Sequence, residues 1–85
     1  MREIIFDDDE LYRRIGYNVA KIRKSKNISQ LDLALAIGLK SVGLISVAEI
    51  YHNKKHFNIS HLSKIAAVLD VDICEFFKKA DDTLS

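Results

Sequence analysis

The chain has no proline and no tryptophan, and its 85 residues include only one cysteine and three glycines. Without proline, nothing in the sequence interrupts a helix from within. The lone Cys74 cannot form a disulfide inside one copy, so we expect the protein in the reducing cytoplasm. There is no uncharged apolar run long enough for a membrane span. The N-terminal sequence "MREIIFDDDE" is too acidic for a secretory signal.

Charge is distributed unevenly along the chain, although the formal net charge is only +1. Residues 1–10 carry five acids against Arg2, a net charge of −4, and residues 80–85 carry two aspartates, a net charge of −2. Residues 11–79 carry twelve Lys or Arg against five acids, a net charge of +7. A basic centre between acidic ends suits a polyanionic partner. An ordinary solvated surface explains the same charges equally well.

The spacing of apolar residues predicts a helix that starts at the acids of residues 7–10 and runs to about Lys26. The apolar positions are Leu11, Ile15, Val19 and Ile22. Asn27 can take the left-handed conformation that ends such a helix. Ser29 then resembles a helix N-cap that opens a second helix, "QLDLALAI", which Gly38 closes.

Three further helices follow from the same kind of signal. We expect the third over roughly 41–51, followed by a polar connection, "YHNKKHF". The fourth, "ISHLSKIAAVL", is capped by Asn58 and ended by Asp70. Asp72 and Glu75 form a cap-type pair that opens a fifth helix, "ICEFFKK". The sequence therefore predicts an all-α, compact five-helix domain.

The predicted domain covers residues 9–79, with a segment on either side. Residues 1–8 form a tail or a short strand that pairs with a second copy, because an apolar edge segment seeks a partner. Residues 80–85 form an acidic C-terminal tail.

The sequence gives only weak signals for a metal site or a reactive cysteine. His52, His56 and His61 have no interleaved acid or second cysteine, so surface or phosphate-facing roles are favoured over a metal site. Cys74 lies on the apolar side of "DICEFF", which predicts a buried structural thiol rather than a nucleophile. Of the adjacent Phe76 and Phe77, one is expected to face outward. We expect no metal, no cofactor and no enzymatic activity.

The predicted elements follow a specific order. A first helix is followed by "SQ", which opens a second helix, and a turn ending in glycine then leads to a third helix. The segments "IGYNVAKIRKSKNISQLDLALAIGL", "ISVAE" and "NISHLSKIAAVLDVDICEFF" resemble the phage-repressor or Cro-like (XRE-type) helix-turn-helix family. The resemblance covers about residues 15–77. It implies a lambda-repressor-like DNA-binding fold that binds double-stranded operator DNA as a symmetric dimer, with the third helix in the major groove.

The resemblance also implies a structural ion pair between Arg23 of the first helix and Glu49 at the end of the third. A rival register puts Tyr51 at the position of that glutamate; the Glu49 register keeps the pattern "ISxxE" and gives Arg23 a partner. Compared with the family, the turn "GLKSVGL" has one extra residue, assigned to Lys40. The loop "IYHNKKHF" is longer and lacks the usual glycine and proline.

The DNA-contacting residues come partly from the resemblance and partly from residue chemistry. By resemblance, Gln30 lies where the family contacts phosphate, and Lys54 and Lys55 lie in a loop that often touches the DNA backbone. Lys40 is a further candidate for phosphate, whereas Ser41 and Ser46 can donate or accept but discriminate poorly. The predicted DNA-binding set is Ser29, Gln30, Lys40, Ser41, Val42, Gly43, Ser46, Val47, Lys54 and Lys55.

The third helix is unusual for a DNA-reading helix. Between Ser41 and Glu49 there is no Arg, Lys, Asn or Gln, the side chains that usually read base edges. Val42, Gly43 and Val47 occupy the positions that commonly touch bases in the family. Two functions therefore stay open: a sequence-specific transcriptional repressor that acts as a dimer, and a protein-interaction module whose third helix docks on a protein partner.

Overall fold

The computed structural model describes residues 3–79, and its regular elements are all helical. Its four α-helices are α1 (Asp8–Ser25), α2 (Gln30–Ala36), α3 (Gly43–Glu49) and α4 (Ile59–Leu69). Two short 3₁₀ helices cover His52–Lys54 and Ile73–Phe77. Within residues 3–79 there is no strand, and residues 3–7 have no regular structure. The all-α prediction is confirmed, whereas the acidic tail at 80–85 lies outside the described residues.

Side-chain caps start α2 and α4 where the sequence predicts. Ser29 Oγ accepts a hydrogen bond from the backbone N–H of Asp32 at 3.0 Å. Asn58 and His61 form a reciprocal capping box, in which Asn58 Oδ1 accepts from the His61 N–H and His61 Nδ1 accepts from the Asn58 N–H. Each cap satisfies backbone donors that the first turn of a helix leaves without partners.

Three of the α-helices end in left-handed residues that turn the chain. Asn27, Gly38 and Asp70 have φ values of 59°, 91° and 57°. After each, the next residue donates its N–H back into the last turn, as Leu39 does to the Ala34 carbonyl at 2.9 Å. This is the Schellman pattern of helix termination, and it aims the chain from α2 toward α3.

The predicted fifth α-helix is wrong: Ile73–Phe77 forms a 3₁₀ helix, so the domain has four α-helices. With three residues per turn, positions three apart share a face. Phe76 is fully buried and Ile73 half-buried, whereas Cys74 and Phe77 face outward. Cys74 is therefore exposed, which corrects the buried thiol expected for an α-helix.

The third helix is shorter than predicted, beginning at Gly43 rather than near Ser41 and ending at Glu49 rather than near Tyr51. No side chain caps its start, where Val42 is the N-cap residue. At the other end, Tyr51 adopts a left-handed conformation with φ of 55°, which an α-helix cannot continue. Lys40 and Ser41 consequently lie in the turn before α3.

The core is built around α1, whose buried face contacts α3, α4 and the second 3₁₀ helix. The large side chains that are fully buried in this core are Val19, Leu33, Ile45, Leu62, Ile65, Leu69 and Phe76. Asn18 of α1 donates through Nδ2 to the carbonyls of Phe76 and Lys78, at 2.9 and 2.8 Å. These bonds satisfy carbonyls at the end of the second 3₁₀ helix and fix it on α1.

Candidate nucleic-acid interface

Two short helices and a six-residue turn form the unit that could approach DNA. The turn, residues 37–42, contains Gly38 in a left-handed conformation. Leu33 and Ala34 of α2 and Ile45 and Ala48 of α3 are completely buried, so their contacts with the core fix the two helices relative to each other.

Arg23 and Glu49 form a buried ion pair that joins α1 to α3. Arg23 Nε and Nη2 donate to the two carboxylate oxygens of Glu49 at 2.7 and 3.0 Å. Arg23 Nη1 also donates to the Ile28 carbonyl at 2.8 Å, in the connection between α1 and α2. Both side chains are almost inaccessible to solvent, so the pair is held in a low-dielectric site with little competition from water. Glu49, and not Tyr51, occupies the position opposite Arg23.

Gln30, predicted to contact phosphate, belongs to the same network. Its Nε2 donates to Glu49 Oε1 at 2.9 Å, so one amide N–H is used inside the protein. An amide nitrogen has a second N–H, and the backbone N–H groups of the first turn of α2 lie beside it. The network thus orients Gln30 at the start of α2 while keeping donors for an anion. Ser29 next to it is exposed, with its hydroxyl used as the cap.

The outward side of α3 is small and apolar. Gly43 is exposed, and Val42, Ser46 and Val47 are half-buried. The Ser46 hydroxyl donates to the Gly43 carbonyl at 3.0 Å, so its proton is engaged within the helix. This surface offers methyl groups and a glycine backbone, with no cation on α3 itself.

Three exposed apolar residues of α2 and of the end of α3 were not assigned a role from the sequence. Ile50, directly after α3, is 71% exposed, and Leu31 and Leu35 of α2 are 49% and 54% exposed. Ile50 follows Ser46 by four positions and Val47 by three. Leu31 and Leu35 are also four apart. Helical spacing was therefore the signal that could have identified them.

The loop after α3 is attached to α1 by aromatic contacts. Tyr51 donates its hydroxyl to Asp9 Oδ1 at 2.7 Å, and the Arg13 guanidinium lies 5.3 Å from the centre of the Tyr51 ring. At the other end of the loop, the His56 ring stacks on Tyr12 with 3.8 Å between ring centroids. These contacts hold a backbone in which Tyr51, Asn53 and Lys54 all have positive φ. For Tyr51 and Lys54 the left-handed conformation costs roughly 1–2 kcal/mol each, whereas asparagine adopts it more readily.

The Tyr51–Asp9 hydrogen bond changes the acidity of both groups. The bond to Asp9 is the main reason why the pKa of Tyr51 is raised to about 12, with burial adding to it. The same bond is the main reason why the pKa of Asp9 is lowered. Asp9 therefore stays ionised and Tyr51 protonated at neutral pH, and the hydrogen bond persists there.

The predicted basic contacts lie on both sides of α3 along the chain. Lys40 and Ser41 are exposed in the turn that precedes α3. Lys54 and Lys55 are exposed at the end of the first 3₁₀ helix. The aromatic contacts to Tyr51 and His56 fix the stretch of chain that carries Lys54 and Lys55. Such a stretch can present both ammonium groups without a large loss of backbone entropy.

Residues 19–76 match the model of a protein family described as helix-turn-helix, which covers more than half of the chain. The chain belongs to the XRE-type, lambda-repressor-like helix-turn-helix family. No curated protein matched it. The matched region of this helix-turn-helix protein contains α2, α3, the Arg23–Glu49 pair and every predicted DNA contact. The first eleven of the eighteen residues of α1 and the segment before them lie outside the match.

Two of the three histidines have local structural roles. His56 stacks on Tyr12, and His61 completes the cap of α4. Among residues 3–79, no three or more His, Cys, Asp or Glu side chains are grouped so that they could hold a metal ion. Over the same residues, no helix combines the length and apolar character that crossing a membrane requires.

Proposed function

We propose that this helix-turn-helix protein is a small cytoplasmic transcription regulator that binds specific double-stranded DNA as a homodimer and represses transcription. The observation that carries the proposal is the Arg23–Glu49–Gln30 network. It fixes the start of α2 and the end of α3 within one rigid unit, and lysines flank α3 on both sides. Family membership supports DNA as the ligand. The proposal includes no catalytic activity and no cofactor.

Phosphate contacts supply most of the affinity in this proposal. Helix N-termini with free N–H groups attract anions, which suits Gln30 and Ser29 at the start of α2. Lys40, Lys54 and Lys55 add cations before and after α3. Contacts of this kind hold the DNA backbone and set the register of the protein on the duplex, without reading sequence.

Sequence is read by α3 through shape and methyl contacts. Val42 and Val47 can contact the thymine methyl group, the one apolar feature of the major groove. Gly43 has no side chain, so the backbone can approach the bases closely. Because the Ser46 proton is engaged with Gly43, that hydroxyl acts on DNA mainly as an acceptor. We expect T-rich half-sites and modest specificity that depends partly on DNA shape.

The test measures the DNA affinity of Val47→Ser and of the parent protein. Each is titrated with a specific site, obtained by selecting the sequences that the parent binds best, and with random DNA. If Val47 reads thymine, the variant narrows the difference in affinity between the two DNAs and leaves non-specific binding intact. Replacing thymine by uracil at the contacted positions should have the same effect on the parent. If the difference in affinity between specific and random DNA is unchanged in both experiments, Val47 does not read thymine.

A second candidate function is a protein-interaction module that has kept the fold and docks through α3. The specific observation in its favour is that Leu31 and Leu35 of α2 and Ile50 directly after α3 are apolar and exposed. Gel-shift titrations against mixed genomic fragments at several salt concentrations separate the two functions. Failure to bind any DNA at low salt favours the interaction module. Val47→Asp is then the negative control in a pull-down.

A further inference from the structure

The N-terminal segment, residues 4–6, places three apolar side chains in solvent. Ile4, Ile5 and Phe6 are 68%, 87% and 82% exposed. Phe6 directly precedes Asp7, the N-cap of α1, and Leu11 is the fourth residue of that helix. A residue at the position of Phe6 commonly packs on one at the position of Leu11, but Phe6 does not bury itself there. Three consecutive exposed apolar side chains make this segment a candidate for an interaction site.

An apolar groove lies at the same end of α1. It has a volume of about 350 Å³. Its walls are Leu11, Tyr12, Ile15, His56, Phe57, Asn58, Ile59, Leu62 and Phe77. Ile59 and Phe77 are 70% and 36% exposed. The volume is sufficient for large side chains, at the lower end of the range for ligand sites.

We infer that this groove binds the N-terminal segment of a second copy, and that two copies exchange their segments around a two-fold axis. The inference deepens the proposed function, on whose homodimer it rests, by naming the interface. Residues 3–6 span at most about 14 Å when extended, so the donor and acceptor sites must lie close together. Because the groove includes the first turns of α1, placing the N-termini of two α1 helices side by side brings each segment to the other copy's groove. Such an arrangement is self-complementary and closes as a dimer.

Charge complementarity supports a second copy as the occupant. The segment is followed by the exposed carboxylates of Asp7 and Asp8, and the groove's loop is preceded by the exposed Lys54 and Lys55. An incoming segment therefore brings acids to a basic edge. The N-terminal portion of the chain is net negative and the domain net positive, so copies attract each other in this orientation.

The buried area is adequate, and α2 and α3 lie outside the groove. An aromatic side chain alone buries about 150–250 Å². Two exchanged segments with the surfaces that they cover would bury roughly 1,000–1,500 Å², within the low range of stable interfaces. None of the groove's residues belongs to α2 or α3. The groove therefore leaves α2 and α3 of each copy uncovered, and Lys54 and Lys55, which are also proposed to contact phosphate, come directly before its loop in the chain.

The first test measures the oligomeric state of the full chain by sedimentation velocity without DNA. We expect a concentration-dependent dimer whose dissociation constant rises about tenfold or more with Phe6→Ser or Ile59→Asp. Both positions are exposed, and an aspartate suits the first turn of α4, so these variants should fold. Tyr17→Ser, at a 61% exposed aromatic outside the groove, is the matched control and should leave the dimer unchanged.

A disulfide experiment identifies the occupant. Phe6→Cys and Ile59→Cys are each made in a Cys74→Ser background, mixed and oxidised. A covalent dimer that forms only in the mixture supports exchange between copies. A disulfide within one chain of the double variant would show that the segment occupies its own groove and would overturn the inference. So would a monomer at all concentrations, or a dimer insensitive to Phe6→Ser and Ile59→Asp. A dimer that binds DNA but is insensitive to Phe6→Ser and Ile59→Asp refutes this interface alone, whereas a dimer that is sensitive to them but binds no DNA refutes the proposed function alone.

Discussion

Gly16 in the middle of α1 lies directly against the backbone carbonyl of Ala48 in α3. A Cβ atom at position 16 would overlap that oxygen and would lie 2.7 Å from the carbonyl oxygen of Glu49. The two helices thus meet backbone to backbone, next to the ion pair that Glu49 makes with Arg23. A glycine inside a helix costs about 1 kcal/mol relative to alanine, so helix propensity alone would favour alanine here. The close contact with α3 is the reason why glycine fits.

Gly16→Ala should therefore destabilise the protein, against the trend of helix propensity. We expect a loss of roughly 1–3 kcal/mol in the free energy of unfolding, because α1 and α3 must move apart. Urea denaturation measures it. The matched control is Gly43→Ala, where the nearest atom to the new Cβ would be Ser41 Oγ at 3.8 Å. If both variants are as stable as the parent, the close approach of α1 to α3 is not present in solution.

Glu49→Ala should be among the most damaging substitutions in the chain. It removes a carboxylate that accepts three hydrogen bonds, two from Arg23 and one from Gln30. The Arg23 guanidinium is then buried without its counter-ion. Breaking a buried pair in this way costs about 3–5 kcal/mol. Thermal unfolding followed by circular dichroism would show a drop in Tm of more than about 10 °C. Glu10→Ala breaks the exposed ion pair with Arg14 and serves as the control, with an expected loss of at most about 1 kcal/mol. If Glu49→Ala and Glu10→Ala have the same Tm, the Arg23–Glu49 pair is not a strongly stabilising contact.

Lys54→Ala combined with Lys55→Ala should weaken binding to all DNA sequences alike. Each lysine that contacts phosphate contributes about one unit to the slope of log affinity against log salt concentration, so the slope should fall by about two. Titrations at four or more salt concentrations provide the slope. Lys21→Ala with Lys64→Ala makes the same change in net charge on α1 and α4, away from the predicted contacts. An equal fall in slope for that pair would mean that net charge, and not the loop, sets the salt dependence.

Stability should decrease in mildly acidic solution through His61. Burial, and then the charge of Lys64, hold the pKa of His61 below its usual value of 6.5. The neutral ring accepts the Asn58 N–H, so the folded state binds fewer protons than the unfolded one. This contribution is complete above about pH 6.5 and is lost as the pH falls through the lowered pKa of the folded state.

His61→Gln tests this contribution, since glutamine keeps an acceptor at the capping-box position but does not titrate. Urea midpoints measured between pH 5 and pH 7.5 should vary less in this variant than in the parent. His52→Gln, at an exposed site in the first 3₁₀ helix, is the control for losing an imidazole. If the parent and His61→Gln show the same pH dependence, protonation of His61 does not couple to folding.

The sequence by itself determined the features that depend on neighbours a few positions away. Ser29 and Asn58 cap helices through N–H groups three residues ahead, and Asn27, Gly38 and Asp70 end helices through bonds within the last turn. These contacts form whenever the local chain is helical, so residue type and spacing are enough to place them. The Arg23–Glu49 pair was also anticipated, but through the family resemblance, which supplied the long-range partner that local pattern does not contain.

Only the tertiary structure decided features that depend on distant residues. Asp9 and Tyr51 are 42 positions apart, and their hydrogen bond helps to hold the left-handed backbone that ends α3 two residues early. Asn18 bonds to carbonyls 58 and 60 positions away, which fixes the last element on α1; that element is a 3₁₀ helix and exposes Cys74. Gly16 was one of three scattered glycines until its contact with Ala48 gave it a role. In each case the local sequence permits more than one conformation, and the free energy of a contact made across the domain selects one of them.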